Sequence, residues 1–223
     1  MDIAIIGAGR VGTALGSALE AKAHRIVYGV RDPKRSQERN AATVADALAG
    51  AKIVILATPW PVTESLVCEQ AWSLAGKIVI DATNPIAANL AGLAISFDSS
   101  GAELLQSQAH EAKFFKAFNT VGVDVMAKPR FPEGRAAMFV AGPDGPEKQV
   151  VMSLVGDVGF EAVDAGPLKS ARLLEPLAML WIQVARKEQN PNFALVVGKR
   201  AAGGQAQPLT QLKAVAGSFS PDR

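Results

Sequence analysis

The stretch 2–12, DIAIIGAGRVG, constrains the fold more than any other part of the chain. Ile3, Ala4, Ile5 and Ile6 form an unbroken apolar run, the pattern of a parallel strand covered on both faces. Gly7, Gly9 and Gly12 follow at the spacing G-x-G-x-x-G, and Val11, Ala14, Leu15, Ala18 and Leu19 then recur at helical spacing. The segment therefore reads as strand, tight turn and helix start. Each glycine serves a distinct physical purpose. Gly7 turns the chain, Gly9 lets the backbone approach a pyrophosphate, and Gly12 allows close helix–strand contact. Unpaired N–H groups at the helix start favour an anion there. A dinucleotide is the expected ligand.

That reading gives weight to the end of the second strand, 26–30, which lies beside the adenine ribose in such folds. The chain there runs Val30-Arg31-Asp32-Pro33-Lys34-Arg35. A carboxylate at this point suits NAD, and cations suit the 2′-phosphate of NADP. Asp before Pro is also a helix cap followed by a first-turn proline, so Asp32 is read as the cap and Arg31, Lys34 and Arg35 as the phosphate clamp. Further strands are expected at 52–57, 77–81 and 112–118, ending in Thr58, Asn84 and Asn119. In an open parallel sheet these ends line one crevice. Asn84 and Asn119 there are either holders of a carboxamide or ordinary turn residues. Trp60 either walls the pocket or fills the gap under a loop.

The pattern of strands and helices predicts a Rossmann-like, doubly wound α/β domain with a mostly parallel sheet of about eight strands. A short edge strand and a helix over 41–51, a helix from the prolines at 59 and 61 to 74, and a long loop over 86–99 complete its middle. Strand, turn and helix repeat over 136–155, and a last strand is expected over 160–164. The final helix, 169–187, contains Pro176, which should kink or restart it. Its half 177–185 is apolar almost all round, which predicts burial on more than one side, under the nucleotide pocket or in a homodimer interface. The division expected is one domain over 1–187 and a weakly packed arm over 188–223.

Several function classes are disfavoured. A net charge of +2 without a basic block argues against nucleic acid. No apolar run approaches the roughly 18 residues of a membrane span, so a cytoplasmic protein is expected. The single Cys68, read as a packed helix residue, excludes an internal disulfide, and with His24 and His110 it makes no metal-ligand spacing. Tyr28 is the only tyrosine and has no Y-x-x-x-K partner, neither histidine ends a crevice strand, and no G-x-S-x-G elbow occurs. What remains is hydride transfer without a protein acid or base, in which the chain positions nicotinamide and acceptor about 3 to 3.5 Å apart. No catalytic side chain is singled out.

The motifs VRDPKR, ILATPW, DATNP, SGAELLQ, KAFNTVG, AMFVAG and GFEAVDAGPLKSARLLEPLAMLWI resemble the NADPH-dependent reductases of the deazaflavin coenzyme F420. The likeness covers residues 1 to about 195 and is most specific in the later motifs. It implies a single Rossmann-like domain that stacks a deazaflavin on nicotinamide and passes a hydride between them. Carried over, Gly7, Ala8, Gly9, Arg10, Val11 and Gly12 hold the pyrophosphate, and Arg31 with Lys34 or Arg35 the 2′-phosphate. Ala57, Thr58, Pro59, Asn84 and Pro85 flank the nicotinamide ribose and ring. Trp60, Asn119, Thr120, Leu174, Pro176 and Leu177 lie towards the acceptor. The tail after Arg200 has no counterpart in the resemblance. Other readings of the same fold are a reductase of a flavin, an imine or a keto substrate, and an NADPH sensor without turnover.

Overall fold

Apolar strands alternating with amphipathic helices bury every face only as a parallel sheet with helices on both sides. The computed structural model, which describes residues 1–95 and 97–198, has that arrangement. The elements in order are β1 (Asp2–Ile6), α1 (Arg10–Glu20), β2 (Arg25–Val30), β3 (Ala41–Thr43), α2 (Val44–Ala49), β4 (Ile53–Leu56), α3 (Trp60–Glu69), α4 (Ala71–Leu74) and β5 (Ile78–Asp81). Then come α5 (Gly101–Gln108), β6 (Lys113–Lys116), α6 (Val123–Ala127), β7 (Arg130–Phe131), β8 (Gly134–Arg135), β9 (Ala137–Val140), α7 (Pro146–Val158), β10 (Glu161–Asp164) and α8 (Ala171–Lys187). Six strands pair in parallel in the order β3-β2-β1-β4-β5-β6. This is the Rossmann order, with its crevice where the winding reverses between β1 and β4.

Alternation along β1 divides the core. Ile3 and Ile5 pack with Leu15 and Leu19 of α1 and with Val151 and Leu154 of α7. Ala4 and Ile6 face the opposite layer, with Leu48, Trp60, Val67 and Leu105. Fixing β1 from both faces fixes the glycine turn at its end.

The expected single sheet of about eight strands is corrected: among the described residues six strands form the sheet, while β9 and β10 pair only with each other, in parallel. A single antiparallel bridge, Lys116 to Ala141, joins the two sheets. The outer edge of β6 is already occupied. The Phe114 N–H donates to the Gln106 side chain at 3.1 Å, the Lys116 N–H to the Ala141 carbonyl at 2.7 Å, and the Phe118 N–H to the Met138 sulfur at 3.0 Å. The N–H groups on either side of the bridge are thus taken by side chains, and the ladder stops at one rung.

Other expectations also change. The helix expected up to residue 74 breaks at Gln70 (φ −105°, ψ 15°) into α3 and α4. Cys68 is exposed, because Trp60, Thr63 and Val67 take the inward face of α3. Helix α8 runs through Pro176 without interruption, since proline removes one N–H and the rest of the ladder continues. It is buried on one side only. Leu174, Glu175, Ala178 and Met179 point inward, whereas Leu173, Leu180 and Val184 are 73%, 56% and 37% exposed. Of the expected arm, the part up to 198 lies against α8 and β9. Trp181 Nε1 donates to the Phe193 carbonyl at 3.0 Å, their rings stack at 5.3 Å, and the Ala137 N–H donates to the Leu195 carbonyl at 2.7 Å. Residues 199–223 lie outside those described. Among the described residues no helix is long and apolar enough to cross a membrane.

Candidate functional site

The glycine turn shows which of its three glycines serve the fold. Gly7 has φ +107°, and a Cβ on it would lie 2.7 Å from the Ala57 carbonyl oxygen. A Cβ on Gly12 would overlap the carbonyl oxygen of Gly7. Gly9 is different: among the described residues nothing lies within 4 Å of where its Cβ would be. It opens into a cleft of about 620 Å³ shared with Ala8, Arg10, Thr13, Asp32 and Arg35. Helix α1 starts at Gly9 without a side-chain cap, so its first N–H groups can serve an anion. Val11 lies just inside that start, half-buried against the core. Arg10 pairs loosely with Asp124 at 3.6 Å, both exposed, a contact of little energetic weight.

At the end of β2, Asp32 accepts the Lys34 N–H at 3.1 Å and caps the single helical turn Pro33–Arg35. Its carboxylate serves the backbone. Arg31, Lys34 and Arg35 are exposed, and none pairs with a described carboxylate. Arg31, Asp32 and Arg35 line a second cleft of about 860 Å³, which continues past Gly7 to Thr58 and Pro59. Thr58 and Pro59 in turn open a third cleft of about 440 Å³, bounded by Trp60, Asn84, Ile86 and Leu90. A continuous groove thus crosses the carboxyl ends of the strands, with cations at one end and amides and hydroxyls at the other. None of the residues lining the third cleft is ionisable.

At that end the side chains are tied to one another. Thr58 and Thr63 share a hydroxyl–hydroxyl hydrogen bond of 2.7 Å. Ala57 donates its N–H to the Ile6 carbonyl at 2.9 Å, and the Pro85 carbonyl accepts the Ala94 N–H at 2.7 Å. Asn84 Nδ2 donates to the Asn119 carbonyl at 2.9 Å, and Asn119 Nδ2 donates back to Asn84 Oδ1 at 3.0 Å. Asn119 Nδ2 also donates to the Leu174 carbonyl at 3.0 Å, while Asn119 Oδ1 is buried without a partner among the described residues. Thr120 is buried with its hydroxyl 3.9 Å from the Met138 sulfur. Trp60 is buried, and a Cβ on Gly101 would lie 2.9 Å from its ring. It fills the space under α5 and also lines the third cleft. Pro176 and Leu177 are half-buried on α8, in the turn after Leu174.

Sequence reasoning missed the group directly beneath. Lys116 Nζ, fully buried, contacts Asp81 Oδ2 at 2.8 Å, Glu175 Oε1 at 2.8 Å and the Thr83 carbonyl at 2.7 Å. Burial alone would push the lysine down, but the two carboxylates outweigh it and hold its pKa above the ordinary value. Glu175 also accepts the Gly101 and Ala102 N–H groups at 2.9 and 3.2 Å, capping α5. A signal was present: Asp81 and Lys116 each close an apolar strand run, and a buried charge needs a partner.

The family model for coenzyme F420-dependent NADP oxidoreductases matches residues 2–85. The solved structure of a proposed F420-dependent NADP reductase from Arthrobacter sp. FB24 has 30% identity and a TM-score of 0.82, covering 89% of this chain and 100% of its own. This chain belongs to that family. The F420-dependent NADP reductase of Methanocaldococcus jannaschii is 29% identical over 205 residues, which is 82% of this chain and 91% of the relative. The metalloreductase STEAP3 of Rattus norvegicus is also 29% identical, over 185 residues, but the match spans only 37% of that relative's length. Within the F420-dependent family, the matched region 2–85 contains the glycine turn, the cationic turn, Thr58 and Asn84.

Proposed function

We propose that this chain transfers a hydride between NADP(H) and the deazaflavin coenzyme F420, or a similarly flat acceptor, as a cytoplasmic homodimer. The observation that carries the reading is the continuous groove, with free cations at one end and a cleft without ionisable side chains at the other. When bound, NADPH supplies the hydride, so no protein acid or base is needed at the reacting carbon. The chain's work is placement. The open face of Gly9 and the uncapped start of α1 receive the pyrophosphate, and Arg31, Lys34 and Arg35 the 2′-phosphate. Thr58, Pro59 and Asn84 border the nicotinamide, and Asn119, Thr120, Leu174, Pro176 and Leu177 support the acceptor side. Trp60 stiffens the floor.

Two further features support the assembly and compartment. The exposed stripe of Leu173, Leu180 and Val184 on α8 suits a second copy of the chain, and Cys68 is a free, exposed thiol, as is usual in a reducing compartment. The test of the activity is to mix the protein with NADPH and oxidised coenzyme F420 and follow bleaching of the deazaflavin, with NADH, FMN and FAD in parallel. Rapid bleaching with NADPH and not with NADH is expected. Tight NADPH binding without turnover of any acceptor would overturn the enzyme reading in favour of a sensor.

A further inference from the structure

The buried charges under the groove are more than the fold needs. An ion pair with no access to water gains little over well-packed apolar residues of the same volume, yet Asp81, Lys116 and Glu175 are all buried. Their arrangement follows from register: Asp81 stands opposite Lys116 on neighbouring parallel strands. Asn84 and Asn119 each lie three residues further on. The charged pair is therefore the base on which the amide pair stands. Helix α8 enters through Glu175, whose two oxygens are occupied by Lys116 and by the Gly101 and Ala102 N–H groups. The preceding residue, Leu174, offers its carbonyl to Asn119. Asn119 Nδ2 spends its two hydrogens on Leu174 and Asn84, which fixes the plane of its amide. Asn84, the member lining the cleft, keeps one amide hydrogen and one lone pair free of these contacts. A primary carboxamide has the complementary donor and acceptor.

From this chain of contacts the structure assigns to Glu175 a positioning role: clamped by Lys116, it sets the Leu174 carbonyl, and through Asn119 it orients Asn84 towards the carboxamide of the nicotinamide. The inference rests on the hydride-transfer reading above. Glu175 touches neither cofactor nor acceptor, and its effect is confined to the nicotinamide end of the groove. The stranded Asn119 Oδ1 fits this account. An amide chosen only for burial would be expected to satisfy its acceptor, whereas here the donors are used for orientation.

The test separates the two ends of the cofactor. Glu175→Gln keeps the volume and removes the charge, and Asn119→Ala removes the relay. Each variant and the double variant are assayed for binding of 2′,5′-ADP, which lacks the nicotinamide, for binding of NADP+, and for single-turnover hydride transfer. Binding of 2′,5′-ADP is expected to stay within about 2-fold of the parent, NADP+ to weaken, and transfer to fall about 10- to 100-fold, the scale of an ångström of misplacement. The double variant should be no slower than the slower single one, because both act through one relay. If Glu175→Gln does not fold, Glu175→Asp replaces it with the same expectations at smaller amplitude. Equal weakening of 2′,5′-ADP and NADP+, unchanged transfer in a folded variant, or multiplicative losses in the double variant would each overturn the assignment. Failure of the parent to reduce coenzyme F420 overturns the acceptor reading alone, because the ratio of NADP+ to 2′,5′-ADP affinity still reports the relay.

Discussion

Gly9→Ala separates nucleotide binding from folding. The backbone at Gly9 is extended, φ −81° and ψ −176°, a region any residue adopts, and the added methyl would meet nothing within 4 Å. Without nucleotide the variant should be as stable as the parent, or more stable by up to about 1 kcal/mol through a less flexible unfolded chain. For a protein of this size that is a Tm rise of up to about 4 °C. With nucleotide bound as proposed, the same methyl would stand where the pyrophosphate approaches. Losing one charge-assisted hydrogen bond from the α1 N–H groups costs about 1.5 to 3 kcal/mol, or roughly 10- to 150-fold in Kd. At an NADPH concentration about 100 times the parent's Kd, ligand stabilisation is about 2.7 kcal/mol, and a 100-fold weaker variant retains about 0.4 kcal/mol. Thermal melts with and without NADPH should therefore show a shift of roughly 5 to 11 °C for the parent and about 1 to 2 °C for the variant. Gly12→Ala is the contrasting control, since its Cβ overlaps the Gly7 carbonyl and should lower the melting point even without ligand. An undiminished NADPH shift in Gly9→Ala would refute the placement of the pyrophosphate over this turn.

Three further outcomes follow from the geometry. Arg31→Ala should weaken NADPH about 10-fold, the low end for a charged hydrogen bond at an exposed site, while NADH changes less than about 2-fold; equal loss of both in isothermal titration would make Arg31 structural. Tyr28, packed against Gly16 and buried, has its pKa pushed up to about 12 from 10.0 by burial and by the charges of Glu38 and Glu20. The folded state keeps the proton longer, so the stability involved is present below pH 10.0 and is lost as pH rises towards about 12, a total on the order of 3 kcal/mol. Lys116, also raised, acts in the same direction. As the only tyrosine, Tyr28 can be followed by phenolate absorbance. Titration of the folded protein at the ordinary value would contradict its burial. Leu180→Glu places a charge in the exposed stripe of α8 and should convert the proposed homodimer to a monomer in light scattering; a dimer mass unchanged by the substitution would move the interface elsewhere, and a monomeric parent would refute the proposed assembly.

What was legible in the sequence was what depends on neighbours within one element. The apolar run 3–6, the glycine spacing and the cap at Asp32 each state their geometry locally, and the folded turn repeats it. What was not legible depends on pairings between elements. Whether β9 could extend the sheet turned on the Gln106 side chain taking the Phe114 N–H, and nothing in either strand announces that. The exposure of Cys68 turned on helix phase, set by which of Trp60, Thr63 and Val67 meets the core first. The buried charges were hidden differently, because each had an ordinary local explanation: Asp81 before a turn, Lys116 at a strand end, Glu175 in a helix. Their partners are identified only by the register of β5 on β6 and the approach of α8. Yet that register is itself a consequence of apolar patterning, since slipping β6 by one residue would turn Phe114 and Phe115 to the wrong layers. The apolar residues thus determine where Lys116 stands, and Lys116 determines where Glu175 and α8 can dock. A carboxylate or ammonium that closes an apolar strand is in this sense a statement about a distant residue of opposite charge, and in this chain following it leads to the floor of the groove.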